Sequence, residues 1–180
     1  MYIKNLLKKI NKNYFNNSHN LKLFDVSLRD GLQSQNRIYT LNEKKVLLND
    51  VINNYHPDKI EVGSIVSDKV LPQMNNSIEL YKYANNLNNN IKYYLLIPNK
   101  KKLKIALDNN VSNMSFISSF SDSFQKKNIK KSLVETKNEI EKINEILIDK
   151  NLYENKLYLS CFNNCPIEGN INHYHIINEL

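Results

Sequence analysis

Strand-like and helix-like stretches alternate along most of the chain, and this alternation limits the possible fold more than any other feature. Residues 21–28 read as a strand: Leu21, Leu23, Val26 and Leu28 are apolar, with β-compatible residues between them. Thr40 with Glu43 three residues on forms a capping box, which opens a helix carrying Val46, Leu47, Val51 and Ile52. Residues 58–62 form a second strand, ending at Gly63. A loop with Pro72 leads to a helix near residues 77–86. Residues 91–97 read as a third strand closed by Pro98-Asn99, and 101–109 as a short helix. A fourth strand covers 111–118 and is followed by a Ser-rich loop. The longest helix spans 132–149, with Val134, Ile140, Ile143 and Leu147 turned inward. Residues 156–161 give a fifth strand, and Leu180 falls inside what reads as the next helix.

Five βα units without an antiparallel hairpin signal imply an α/β fold with a parallel sheet and helices outside it. An open doubly wound sheet and a closed (β/α)8 barrel share this pattern. A nucleotide-binding doubly wound sheet would carry a Gly-rich turn after its first strand, and Arg29-Asp30-Gly31-Leu32-Gln33 is not one. Each strand instead ends in polar or special residues: Arg29-Asp30, Glu61 with Gly63-Ser64, Pro98-Asn99, Ser118-Ser119 and Ser160-Cys161. In a barrel those ends form the active face. A full barrel takes about 250 residues and eight strands, so 180 residues with five strands imply a partial barrel.

Composition narrows the function classes. The net charge is +7, spread over scattered lysines without the clustered arginines and interleaved aromatics of a nucleic-acid surface. No apolar run approaches 18 residues, so no membrane span is expected. Cys161 and Cys165 have a spacing some zinc sites use, but no second ligand pair lies near them, and they read as structural thiols. Residues 1–20 contain no acid. Ile3, Leu6, Leu7 and Ile10 fall on one helical face, with Lys4, Lys8, Lys9 and Lys12 opposite. This segment reads as a basic lead-in helix, with a mitochondrial-type targeting segment as the alternative to a cytoplasmic protein.

The residues with the clearest chemistry stand at the end of the first strand. The chain has two arginines against 23 lysines, and Arg29 is one of them. Its planar guanidinium suits a developing oxyanion. Asp30 beside it is a hard oxygen donor suited to Mg²⁺ or Mn²⁺. Glu61 ends the second strand at the same mouth, and Gln33, Ser64 and Asn99 are candidates for contacts around it.

The stretch Asp25-Val26-Ser27-Leu28-Arg29-Asp30-Gly31-Leu32-Gln33 resembles the first-strand signature of metal-dependent acyl-CoA lyases and synthases built on TIM barrels. Ile60-Glu61-Val62-Gly63-Ser64-Ile65-Val66-Ser67, followed by Pro72-Gln73-Met74, is similar to the 3-hydroxy-3-methylglutaryl-CoA lyase family in particular. Pro98-Asn99, then Ser118, Ser121, Phe124 and Asn128-Ile129, then Ser160-Cys161, Cys165-Pro166 and Glu168-Gly169 resemble that family's later motifs in order. The resemblance covers residues 21–171 of the 21–180 barrel portion.

The resemblance implies a divalent metal held partly by Asp30, an acyl-CoA substrate, and cleavage of 3-hydroxy-3-methylglutaryl-CoA to acetyl-CoA and acetoacetate. It assigns catalytic roles to Arg29 and Glu61 and substrate contacts to Gln33, Ser64 and Asn99, with the 118–128 loop helping to hold the CoA arm. In the family a strand-borne His-x-His, a Gly-Gly-Cys-type loop and an Asn metal ligand complete the site. His173-Tyr174-His175 follows Cys-Pro-x-Glu-Gly, where a helix should begin, and is not expected to be that pair. A second chain or self-association is expected to cover the open barrel. The alternatives are a Claisen-type synthase of the same superfamily and a non-catalytic half-barrel that binds an acyl-CoA or a partner.

Overall fold

A computed structural model describes residues 22–87, 90–172 and 176; the 1–20 segment and His173-Tyr174-His175 lie outside them. The elements run β1 (Phe24–Asp25), a π-helical turn (Ser27–Gly31), α1 (Leu41–Tyr55), β2 (Lys59–Ser64), a 3₁₀ turn (Pro72–Met74), α2 (Ser77–Asn85) and β3 (Lys92–Leu96). They continue with α3 (Lys100–Asp108), β4 (Met114–Ser119), α4 (Asp122–Ile129), α5 (Leu133–Asp149), β5 (Lys156–Ser160), β6 (Asn164–Cys165) and β7 (Gly169–Asn170).

Strands β1 to β5 form one sheet in sequential order, every neighbouring pair parallel. One sheet face packs on the helices. Ile60, Val62, Tyr93, Leu95, Met114 and Phe116 meet Leu48, Val51, Leu80, Leu103, Ile143 and Leu147 in the main core. The opposite face is lined by Phe24, Glu61, Tyr94, Lys156 and Tyr158, and contacts across it show that the sheet curls. A flat sheet with four gaps of about 4.8 Å would hold β1 and β5 roughly 19 Å apart. Yet the Lys156 ammonium lies 3.6 Å from the centre of the Phe24 ring. This is a partial TIM barrel, curled far enough for side chains of its first and fifth strands to meet across the open face.

The capping box at Thr40 and Glu43 is formed as the sequence implied, and Ser132 with Glu135 makes a second at the start of α5. Other expectations need correction. The first strand is shorter than residues 21–28: the Asp25 carboxylate accepts from the Ser27 N–H and Oγ and turns the chain after Asp25. Val134 is 69% exposed rather than inward: it occupies the first turn of α5, and the helix's residues in the main core, Ile143 and Leu147, lie further along. The Ser-rich loop contains α4, opened by Ser121, whose Oγ accepts the Phe124 N–H. An antiparallel hairpin, β6 with β7, follows β5. Gly169, at φ +78°, provides the positive φ in this hairpin. Among the described residues no helix is long and apolar enough to cross a membrane.

Candidate functional site

The π-helical turn after β1 does the positioning. Three successive amides, of Arg29, Asp30 and Gly31, all donate to the Val26 carbonyl. Such wide turns are common at functional positions. This one buries Leu28, points Arg29 across the sheet's open face and leaves Asp30 largely exposed.

Arg29 Nε donates to Glu61 Oε2, and Nη1 donates to Asp30 Oδ1 at 2.7 Å. The guanidinium also lies 5.4 Å from the centre of the Tyr158 ring. Burial opposes its charge, but Glu61, then Tyr158 and Asp30, outweigh this and raise the Arg29 pKa. Glu61 is wholly buried. Its Oε2 accepts from Arg29 and, at 3.3 Å, from the Tyr158 hydroxyl, while its Oε1 is buried without a hydrogen-bond partner. Burial, then the nearby Glu61 charge, pushes the Tyr158 phenol up to about 12, so it stays a donor at neutral pH.

The structure therefore brings Arg29, Asp30 and Glu61 together and adds Tyr158, which the sequence reading missed. The available signal was period two along β5. Lys156, Tyr158 and Ser160 share the open face, while Leu157 and Leu159 point the other way. The remaining candidates stand apart from this cluster. Gln33 is exposed. Ser64 is buried at the end of β2, with its Oγ donating to the Leu96 carbonyl at 3.0 Å. Asn99 caps α3, its Oδ1 accepting the Lys102 N–H at 3.0 Å. Within the 118–128 segment, Ser121 is buried and its Oγ lies 3.0 Å from Cys165 Sγ. Burial, then its hydrogen bond with Cys165, raises the Cys161 thiol to about 11.

Asp30 fits a divalent ion as one donor: its carboxylate is hard and 64% exposed, and Oδ1 meets Arg29. Among the described residues no group of three His, Cys, Asp or Glu side chains is placed to hold a metal. Further ligands would come from water, substrate or residues outside those described. Chemically, the mouth offers a part-buried, immobilised cation, an acceptor oxygen without a donor among the described residues, a phenol donor and an exposed carboxylate.

The HMGL-like family model matches residues 20–175. The 3-hydroxy-3-isohexenylglutaryl-CoA/hydroxy-methylglutaryl-CoA lyase of Pseudomonas aeruginosa is 30% identical over 84% of this chain and 49% of its own length. The mitochondrial hydroxymethylglutaryl-CoA lyase of Macaca fascicularis is 32% identical over 84% of this chain and 46% of its own. Among solved structures, the hydroxymethylglutaryl-CoA lyase of Pseudomonas aeruginosa superposes with a TM-score of 0.76 at 28% identity, covering 87% of this chain and 51% of that one. An HMG-CoA lyase of Acinetobacter baumannii, solved with coenzyme A and 3-methylmalate, gives 0.77 at 25% identity, covering 88% and 51%. The chain thus spans about half the length of the relatives it matches. With the family model covering residues 20–175 of 180, this chain belongs to the HMGL-like family.

Proposed function

We propose that this chain carries the arginine half of a lyase site that cleaves 3-hydroxy-3-methylglutaryl-CoA to acetyl-CoA and acetoacetate. The observation that carries this reading is the immobilised guanidinium of Arg29. It stands at the mouth formed by the C-terminal strand ends, held by a buried carboxylate and lying by an aromatic ring. Part of its five-donor fork is left for a ligand. Relatives named as lyases of such thioesters support the assignment.

Cleavage removes the hydroxyl proton at C3 and breaks the C2–C3 bond. The bonding pair moves to the thioester carbonyl, giving the enolate of acetyl-CoA, which then takes a proton at C2. Arg29 would stabilise that enolate oxygen, a role worth about 10²–10³-fold in rate for a well-placed donor. Glu61 fixes the guanidinium in one orientation, and its free Oε1 would accept from a substrate hydroxyl or a water. Tyr158 supplies a donor from the other wall. Asp30 would be one ligand to a Mg²⁺ or Mn²⁺ ion, which when bound would supply the Lewis acidity that eases loss of the hydroxyl proton.

The test is acetoacetate release from 3-hydroxy-3-methylglutaryl-CoA with Mg²⁺ or Mn²⁺. The native chain should release it, and Arg29→Gln should lose about 100-fold or more. Release that survives Arg29→Gln would overturn the role of Arg29. No release with any divalent metal would overturn the reading of this chain as a lyase by itself.

A further inference from the structure

The loop between β2 and α2 holds an unusual cation. Lys44, in the first turn of α1, is only 3% exposed. Its ammonium donates to the Gln73 carbonyl at 2.9 Å, to the Asn75 carbonyl at 2.6 Å and to Asn75 Oδ1 at 2.9 Å. An ammonium has three N–H donors, and here each has an acceptor. All three acceptors belong to this one loop, and among the described residues no carboxylate forms an ion pair with the ammonium, the Asp68 and Glu79 charges acting on it only through space.

Two routes lead from the clamp to the mouth. Ser77 Oγ donates to the Met74 carbonyl at 2.6 Å and accepts the Ser64 N–H at 3.2 Å, which ties the loop to the end of β2. Gln73 Nε2 donates to the Gln35 carbonyl at 2.9 Å, which ties it to the segment just after Arg29-Asp30-Gly31. We infer that Lys44 is a positioning residue: its ammonium holds the β2–α2 loop on α1, and through Ser77 and Gln73 that loop sets both strand ends that form the ligand mouth. What the mouth binds rests on the lyase reading; the clamp itself does not.

A buried ammonium is costly to desolvate, and an apolar side chain of similar length avoids that cost, which offsets part of the hydrogen bonding lost. The loop, by contrast, loses three hydrogen bonds at once. A positioning role and a general structural role therefore separate in amide exchange. In Lys44→Met, the amides of Val70, Leu71, Met74 and Asn75, which close the turns of this loop, should exchange at least about tenfold faster. The amides of Leu95 in β3 and of Ile97 just after it should keep their protection. Lys44→Arg, which retains charge and donors, should restore part of the loop's protection. Coenzyme A should bind Lys44→Met at least about threefold more weakly than the native chain.

Loop amides as protected in Lys44→Met as in the native chain would overturn the inference. So would a loss of protection spread equally over β3. Should Lys44→Met fail to fold, Asn75→Ala removes one acceptor and should speed loop exchange several-fold, and no change there would also overturn it. If the native chain does not bind coenzyme A while the loop responds as expected, the lyase reading fails and the clamp stands.

Discussion

Arg29 and Glu61 depend on each other. Glu61 is fully buried, and among the described residues Arg29 alone forms an ion pair with it. Removing one partner of a buried pair leaves an uncompensated charge, at a cost of about 3–5 kcal/mol. Arg29→Ala should therefore destabilise the chain by roughly 3 kcal/mol in urea unfolding, and adding Glu61→Gln should recover much of that loss. Tyr158 gives a pH signature. Its folded pKa of about 12 lies above the ordinary phenol value of 10.0, so its contribution is complete below pH 10 and fades as pH rises towards 12. Stability measured between pH 10 and 12 should fall in the native chain and fall less steeply in Tyr158→Phe. The site was legible in sequence where residue chemistry is distinctive. A rare arginine beside an aspartate, and a glutamate in the next strand, pointed to three of the four side chains that the structure brings together. Tyr158 was not legible, because its role needs β5 to curl back over β1, and a five-stranded parallel pattern does not state its curvature.

Local chemistry fixes the elements that carry this site. The Thr40–Glu43 box anchors α1 one residue before Lys44, with the Thr40 N–H donating to Glu43 Oε2 at 2.9 Å. Thr40→Ala should cost about 1 kcal/mol in thermal or urea unfolding. The Glu43 and Glu135 carboxylates are held below their ordinary values, first by the cap backbone N–H groups of Thr40 and Ser132 and then by the cap hydroxyls. Their stabilisation is present above the ordinary carboxylate value of 4.5 and is lost as pH falls below it. Glu43→Gln should flatten that acid limb. Gly63 is the glycine with a steric reason: a Cβ there would lie 2.3 Å from Ser77 Oγ. Gly63→Ala should push Ser77 off the Ser64 N–H and lower the melting temperature, while Gly31, whose Cβ would meet only Ser27 Cβ at 3.8 Å, should accept alanine with little effect. Helices and strands were readable from caps and periodicity. The π-helical turn and the β6–β7 hairpin were not, because each depends on a few local geometries: the Asp25 side chain closing on Ser27, and a positive φ at Gly169.

At the scale of the whole molecule, sequential parallel order with helices on one face makes the sheet curl in one direction. Curling brings the side chains of Lys156 onto Phe24 and Tyr158 onto Arg29 and Glu61, so the cluster forms because β5 faces the first two strands across the open face. The same geometry leaves Leu157 44% and Leu159 38% exposed on the outer face of β5, beside α5. Five βα units were legible as half a barrel, and the matched relatives are about twice as long. The proposed occupant of the Arg29 mouth is a hydroxyacyl-CoA thioester. Calorimetric titration of 3-hydroxy-3-methylglutaryl-CoA with Mg²⁺ into the native chain and into folded Arg29→Gln tests it most directly. Saturable binding by the native chain, weakened at least about tenfold in the variant, is the expected result; no binding, or equal affinity for the two, would contradict it.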